Sequence, residues 1–181
     1  VLVNIDGGIA RDNANNGLNL VLNAPAGDIL GYLGHVAASD NGGNGINLDL
    51  TGAGGTLDIW LERLTTARND VNGINVIENY NGTVHLGGAR IVSVNNVGNG
   101  VRLVMSGLTV PVLDFGGGLL GSTGQSSIYG NGNRDFRYNN GGGTTVMAEN
   151  NWWGTATPVA GQFAGSIDYT PVHPGPDPNA P

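Results

Sequence analysis

A four-residue step returns at a fixed interval along the chain, and it constrains the fold more than anything else. Asn16-Gly17-Leu18-Asn19, Asn44-Gly45-Ile46-Asn47 and Asn72-Gly73-Ile74-Asn75 are spaced 28 residues apart, and Asn99-Gly100-Val101-Arg102 follows 27 later. A period of this length is the signature of a repeat architecture, in which each unit buries its apolar face only by stacking on its neighbours. In isolation an Asn-Gly step signals a hairpin turn. Its recurrence here marks instead the place where one unit closes and the next begins. The units are 17–44, 45–72 and 73–99, with a partial first unit over 1–16, a degenerate one from Gly100 and an irregular last one through Trp152-Trp153.

Within a unit the hydrophobic period is two, which is the period of a strand. Leu18, Leu20 and Leu22 form a first run, repeated as Ile46, Leu48, Leu50 and as Ile74, Val76. Ile29, Gly31, Leu33 and Leu57, Ile59, Leu61 form a second, and Val36, Ala38 and Leu64, Thr66 a shorter third. The expectation is three short strands per coil. Strands of successive coils pair in parallel about 4.8 Å apart, and their inward side chains stack into ladders. Residues 57–68 also admit a helical reading, with Leu57, Leu61 and Leu64 on one face. The equivalent Ile29–Val36 carries two Gly and is a poor helix, so a strand is expected at both.

The period also aligns asparagines. Asn13, Asn41, Asn69 and Asn96 share one phase; Asn16, Asn44, Asn72 and Asn99 a second; Asn19, Asn47 and Asn75 a third. Asn tolerates left-handed backbone, and stacked amides can bond along the axis, so these columns are read as structural ladders. This accounts for eleven of the 24 Asn in a chain with 33 Gly and no Cys. Without Cys there is no disulfide or thiol chemistry. The recurring aliphatic alternation argues against disorder despite the Gly and Asn content.

The run Asn150-Asn151-Trp152-Trp153-Gly154, after Phe115-Gly116-Gly117-Gly118 and before Gly165–Pro171, resembles the ending of right-handed parallel β-helix repeat proteins of the pectin-lyase-like superfamily. The resemblance implies a right-handed parallel β-helix of about six coils. The usual right-handedness of parallel crossovers agrees. The expected domain spans 1–171, open at its N-terminal end. Residues 150–171 form a C-terminal cap built on Trp152 and Trp153 with Phe163 and Tyr169, and a Pro-rich tail follows over 172–181. The superfamily includes lyases, hydrolases and adhesins, so the resemblance implies no single activity.

Function is narrowed by exclusion. A net charge of −7 with seven Arg and no Lys argues against a nucleic-acid partner. The chain holds no apolar run long enough to cross a membrane as a helix. Three scattered His and no Cys make no zinc set, and no cofactor motif is present. Gly116–Gly118 precedes no helix, which a phosphate cradle requires.

If Leu57, Ile59 and Leu61 point inward, the face of the second run points outward and gathers the remaining chemistry. Leu30, Asp58, His85 and Asp114 are expected in one column, Tyr32 with Trp60 in the next and Gly34 with Glu62 in another, with His35, Arg63 and Arg90 at the following bend. Tyr32, Trp60, Arg63 and Arg90 are candidate glycan contacts, since aromatic faces stack on sugars and guanidinium groups bond them. The alternative is a polysaccharide lyase or glycoside hydrolase. Asp58 and Asp114 would then flank His85 about 10 Å apart, two coil spacings, near the wider carboxylate separation of inverting glycosidases. No superfamily catalytic motif carries over. The expected function is therefore a non-enzymatic scaffold or adhesin-like module, extracellular or on a cell surface, with a polysaccharide as partner. The open first coil is the expected surface for self-association.

Overall fold

The computed structural model describes residues 1–140 and 143–176; Asp177–Pro181 of the expected tail lie outside it. The chain is an all-β parallel solenoid of about six coils. Its strands are β1 (Leu2–Arg11), β2 (Leu18–Ala24), β3 (Ile29–Ser39), β4 (Ile46–Glu62), β5 (Thr65–Ala67), β6 (Ile74–Ala89), β7 (Val92–Val94), β8 (Val101–Met105), β9 (Val112–Asp114), β10 (Ser127–Tyr129), β11 (Phe136–Asn140), β12 (Val146–Met147), β13 (Phe163–Ala164) and β14 (Ile167–Asp168). Every described strand pairing is parallel and joins one coil to the next, as in Leu18↔Ile46↔Ile74↔Val101↔Phe136.

The three expected runs per coil do not remain three separate strands. In the second coil β3 carries the second and third runs together. In the third and fourth, β4 and β6 each carry the first and second. The chain bends without breaking its ladder, and the bends have a common device. Between the second and third runs, each coil places one residue in the left-handed region: Gly7, His35, Arg63, Arg90, Gln125 and Asn150. Their neighbours pair across coils, so the six form one column. A second column of the same kind, Asp12, Asp40, Arg68, Asn95 and Gly130, ends the third run. For a residue with a Cβ this conformation costs roughly 1–2 kcal/mol. Paired strands on both sides of each bend hold it there. The bend at Arg63 also excludes the helical reading of 57–68, which the structure resolves as the end of β4 and β5.

The change of period from 28 to 27 has a visible origin. Ala53 pairs with Asn81 and Thr56 with Thr83, so Gly54 and Gly55 bulge opposite the single Gly82. The next coil lengthens, and Asn96 meets Asn131, 35 residues on.

Inward positions of the runs are buried aliphatic ladders: Ile46, Leu48, Leu50, Leu57, Ile59, Leu61, Ile74, Val76, Leu86, Val101 and Leu103 are each 4% exposed or less. Toward the C-terminal end the filling becomes aromatic. Phe115, Phe136, Trp153 and Phe163 meet edge to face in sequence, with centroids 5.2, 6.4 and 4.8 Å apart, and Phe163 stacks on Tyr169 at 4.3 Å. The two tryptophans diverge. Trp153 is fully buried in this row, whereas Trp152 is half-buried and its backbone bridges Ser127. Beyond them Val172 packs on the core and the His173 amide donates to Asn151. At the other end, among the described residues, β1 pairs only with β3 and β2 only with β4, leaving Val3, Ile5 and Leu20 half-buried.

The asparagine columns are hydrogen-bonded ladders. In the first, the Nδ2 groups of Asn13, Asn41, Asn69 and Asn96 each donate to the Oδ1 of the next coil, the last reaching Asn131, at 2.9–3.0 Å. The same oxygens also accept backbone N–H groups. Asp135 ends this ladder, accepting from Asn131 and, on its other oxygen, from Gln162. The second ladder runs with opposite polarity: Asn99, Asn72 and Asn44 donate back to Asn72, Asn44 and Asn16. The third, Asn75 to Asn47 to Asn19, follows the second, and Arg102 donates to Asn75.

Candidate functional site

The outward face of the second run is formed by successive coils of β1, β3, β4, β6 and β9. Alternation puts every second residue of these strands outside, and the parallel register sorts them into columns. The first reads Leu2, Leu30, Asp58, His85, Val112; the second Asn4, Tyr32, Trp60, Gly87, Asp114; the third Asp6, Gly34, Glu62, Ala89. Asp58, His85, Tyr32 and Trp60 thus lie where the period places them.

Asp114 does not. It was expected beside His85, but Val112 occupies that position. The spacing of 27 that joins Ile74 to Val101 also joins His85 to Val112, and Asp114 comes one pair further on, in line with Trp60. Its surroundings are not those of a reacting acid. It is 0% exposed. One carboxylate oxygen accepts the amides of Gly116 and Gly118 at 3.0 Å. The other accepts those of Leu120 and Ser122 at 2.8 and 3.1 Å. The side chain organises the glycine-rich loop after β9. The trio of Asp58, His85 and Asp114 is therefore not assembled.

What the face does assemble is an aromatic and charged strip. The small residues of one column make room for the large ones of another. The Trp60 ring covers Gly87, where any Cβ would collide with it, and Tyr32 lies along its own strand over Gly34. Both rings are half-exposed. The Tyr32 hydroxyl lies beside Glu62. Its pKa is raised by burial and then by that carboxylate. Glu62 also faces two guanidinium groups, Arg63 at 3.9 Å and Arg90 at 3.8 Å. Both arginines stand in the left-handed bend column, which brings their side chains to the edge of the strip. His35 occupies the same column and meets Asp6 at 2.6 Å. At the N-terminal end the strip deepens into an open groove of about 660 Å³ lined by Leu2, Asn4, Asp6, Leu30, Tyr32 and Asp58. Among the described residues, no group of three or more His, Cys, Asp or Glu gathers as a metal site.

Glu62 and His35 stand in the column and at the bend where the period places them. Asp6 is the member of this face that the sequence did not single out; its signal was the register, since Asp6, Gly34 and Glu62 are each 28 apart.

Comparison of the chain with protein-family models, with curated proteins and with solved structures finds no match. Fold and site together define a parallel β-solenoid repeat protein with one chemically varied face.

Proposed function

We propose that the chain is a non-enzymatic β-helical scaffold of the right-handed, pectin-lyase-like kind, an adhesin-like module working outside the cell or at its surface. It contacts glycans through the strip of Tyr32, Trp60, Arg63 and Arg90. One observation carries the reading: Trp60 lies over Gly87 beside Tyr32, so two half-exposed rings sit on adjacent coils with guanidinium groups at the strip's edge. Rings so placed suit the apolar faces of successive sugars, and the arginines suit their oxygens. The strip is shallow, and its acids do not converge on one point, which suits binding better than bond cleavage.

Affinity electrophoresis in gels containing neutral glycans or polyuronates tests the reading. Retarded migration that is lost in Trp60→Ala, with no product released, is the expected result. Release of reducing ends or unsaturated products, abolished in Asp58→Asn, would replace it with a polysaccharide-active enzyme. The same reading includes self-association through the exposed edges of β1 and β2, which offer unpaired backbone groups and a half-covered apolar ladder.

A further inference from the structure

The chain has twice as many acidic residues as arginines, 14 against 7. Four arginines have a carboxylate within 4.0 Å: Arg11 with Asp12, Arg63 and Arg90 with Glu62, and Arg68 with Asp40. The other three, Arg102, Arg134 and Arg137, have none among the described residues, and they lie together. Arg102 of β8 and Arg137 of β11 are direct register partners on adjacent coils, about 4.8 Å apart along the stack. Like charges directly opposite each other on a sheet repel and destabilise it. Arg134 stands three residues before Arg137, and the two line one open pocket of about 290 Å³ with Asn133 and Ala164. Asn133 also lines the adjoining groove of about 510 Å³, where Arg102 lies with Asn75, Asn99 and Asp70.

The column to which these arginines belong shows what changes. Asn19, Asn47 and Asn75 fill its first three rungs with neutral amides that bond to one another. Arg102 ends that ladder with one nitrogen on Asn75, at 2.8 Å. Arg137 follows and turns its Nε to Asn139, at 2.9 Å. Each guanidinium has five N–H donors, so most of their donors remain for a ligand. The pKa of Arg102 is lowered by burial and by the charge of Arg137, in keeping with two cations held close without an anion.

We propose that Arg102, Arg137 and Arg134 form a binding site for a tetrahedral dianion, either free phosphate or sulfate or the phosphate monoester of a sugar. Two arginines at paired positions on adjacent coils, with a third beside them, match the double charge and several acceptor oxygens of a tetrahedral dianion. A single carboxylate neutralises less of the cluster. The site lies on the outward face of the first run, whereas the glycan strip lies on that of the second. Neither depends on the other. Asp70 lines the adjoining groove, and Asp135, next to Arg134 in sequence, is buried and bonded to Asn131 and Gln162.

Isothermal titration with inorganic phosphate, at fixed ionic strength set by chloride, tests the proposal. A glucuronate titration serves as the carboxylate control and a sugar phosphate as the second source. One-to-one binding of inorganic phosphate is expected, at least tenfold tighter than glucuronate, and weakened tenfold or more in Arg137→Gln. Tighter binding of the sugar phosphate assigns the monoester, and equal binding assigns the free ion. The melting temperature gives an independent reading. Phosphate raises it in the unaltered protein but not in Arg137→Gln, which without phosphate melts no lower than the parent because the facing charges are relieved. Phosphate indistinguishable from chloride, glucuronate binding as well as phosphate, or binding that persists in Arg102→Gln/Arg137→Gln overturns the proposal.

Discussion

The coils between residues 17 and 99 and the region after Gly100 solve the same problem in different ways. The first group repeats its solution. Most interior positions hold an aliphatic residue stacked on a similar one, and the corner around each Asn-Gly step holds Asn bonded to Asn one coil away. In the second group nearly every buried residue has a task of its own. Asp114 holds a loop through four amides, Asp135 ends the Asn ladder, and Asn151 joins the Ser126 amide to the carbonyls of Phe115 and Ala148. Repetition distributes a load over many equivalent rungs, whereas closing the stack concentrates it on a few residues. Single substitutions should therefore cost most beyond residue 100.

The largest effect is expected at Trp153, which is buried between Phe136 and Phe163. Trp153→Ala should cost about 3–5 kcal/mol in urea-induced unfolding, and a value under about 1 kcal/mol would show that the aromatic row does not close the stack. Asp114→Ala should follow at about 3 kcal/mol, since four amides lose their acceptor at roughly 1 kcal/mol or less each. Within the regular coils, Asn69→Ala should cost about 1–3 kcal/mol because buried partners on both sides are left unpaired. Asn47→Ala, on the more exposed third ladder, should cost under about 1 kcal/mol. Equal losses at Asn69 and Asn47 would remove the distinction between buried and exposed ladders.

Glu78 is a buried carboxyl inside the regular coils. It points inward between Leu50 and Met105 and is 2% exposed, with the Tyr80 and Gly107 amides on its carboxylate. Burial raises its pKa despite these bonds. The neutral form is the one the fold favours, so its contribution is fully present below the unfolded value of about 4.3 and is lost as pH rises through the folded value. Glu78→Gln should lack that fall. Denaturation midpoints from pH 4 to 7 should decline more steeply in the parent than in the variant; parallel slopes would place the carboxyl in water. The smallest effect concerns the open end, where gel filtration should show a concentration-dependent shift to larger species. A monomer at all concentrations would remove self-association.

The same contrast explains what the sequence disclosed. Stacked coils must match, so the period alone gave the coil boundaries, the inward Leu and Ile ladders and the three Asn columns. The left-handed bend column was hidden because His35, Arg63, Gln125 and Asn150 share a backbone conformation and no side-chain chemistry. Asp114 was misplaced by two residues because its acidic character drew it to His85, while the unbroken spacing of 27 belonged to Val112. The pairing of Arg102 with Arg137 was invisible without the loop that stretches one coil to 35 residues. Glu78 was passed over because the apolar run stops at Val76, although the residue follows Ile74 and Val76 in phase where an apolar residue is due.

One period of chain is one interchangeable coil. Deleting residues 17–44 joins Asn16 to Gly45 and restores the Asn-Gly-Ile-Asn step, with Asn13 beside Asn69 and Asn16 beside Asn72. Far-ultraviolet circular dichroism through thermal unfolding is the direct measurement. The shortened chain should keep a β-sheet spectrum and a cooperative transition, whereas deletion of half a period, residues 17–30, should abolish both. Loss of structure in the whole-coil deletion, or its survival in the half-period one, would contradict the account.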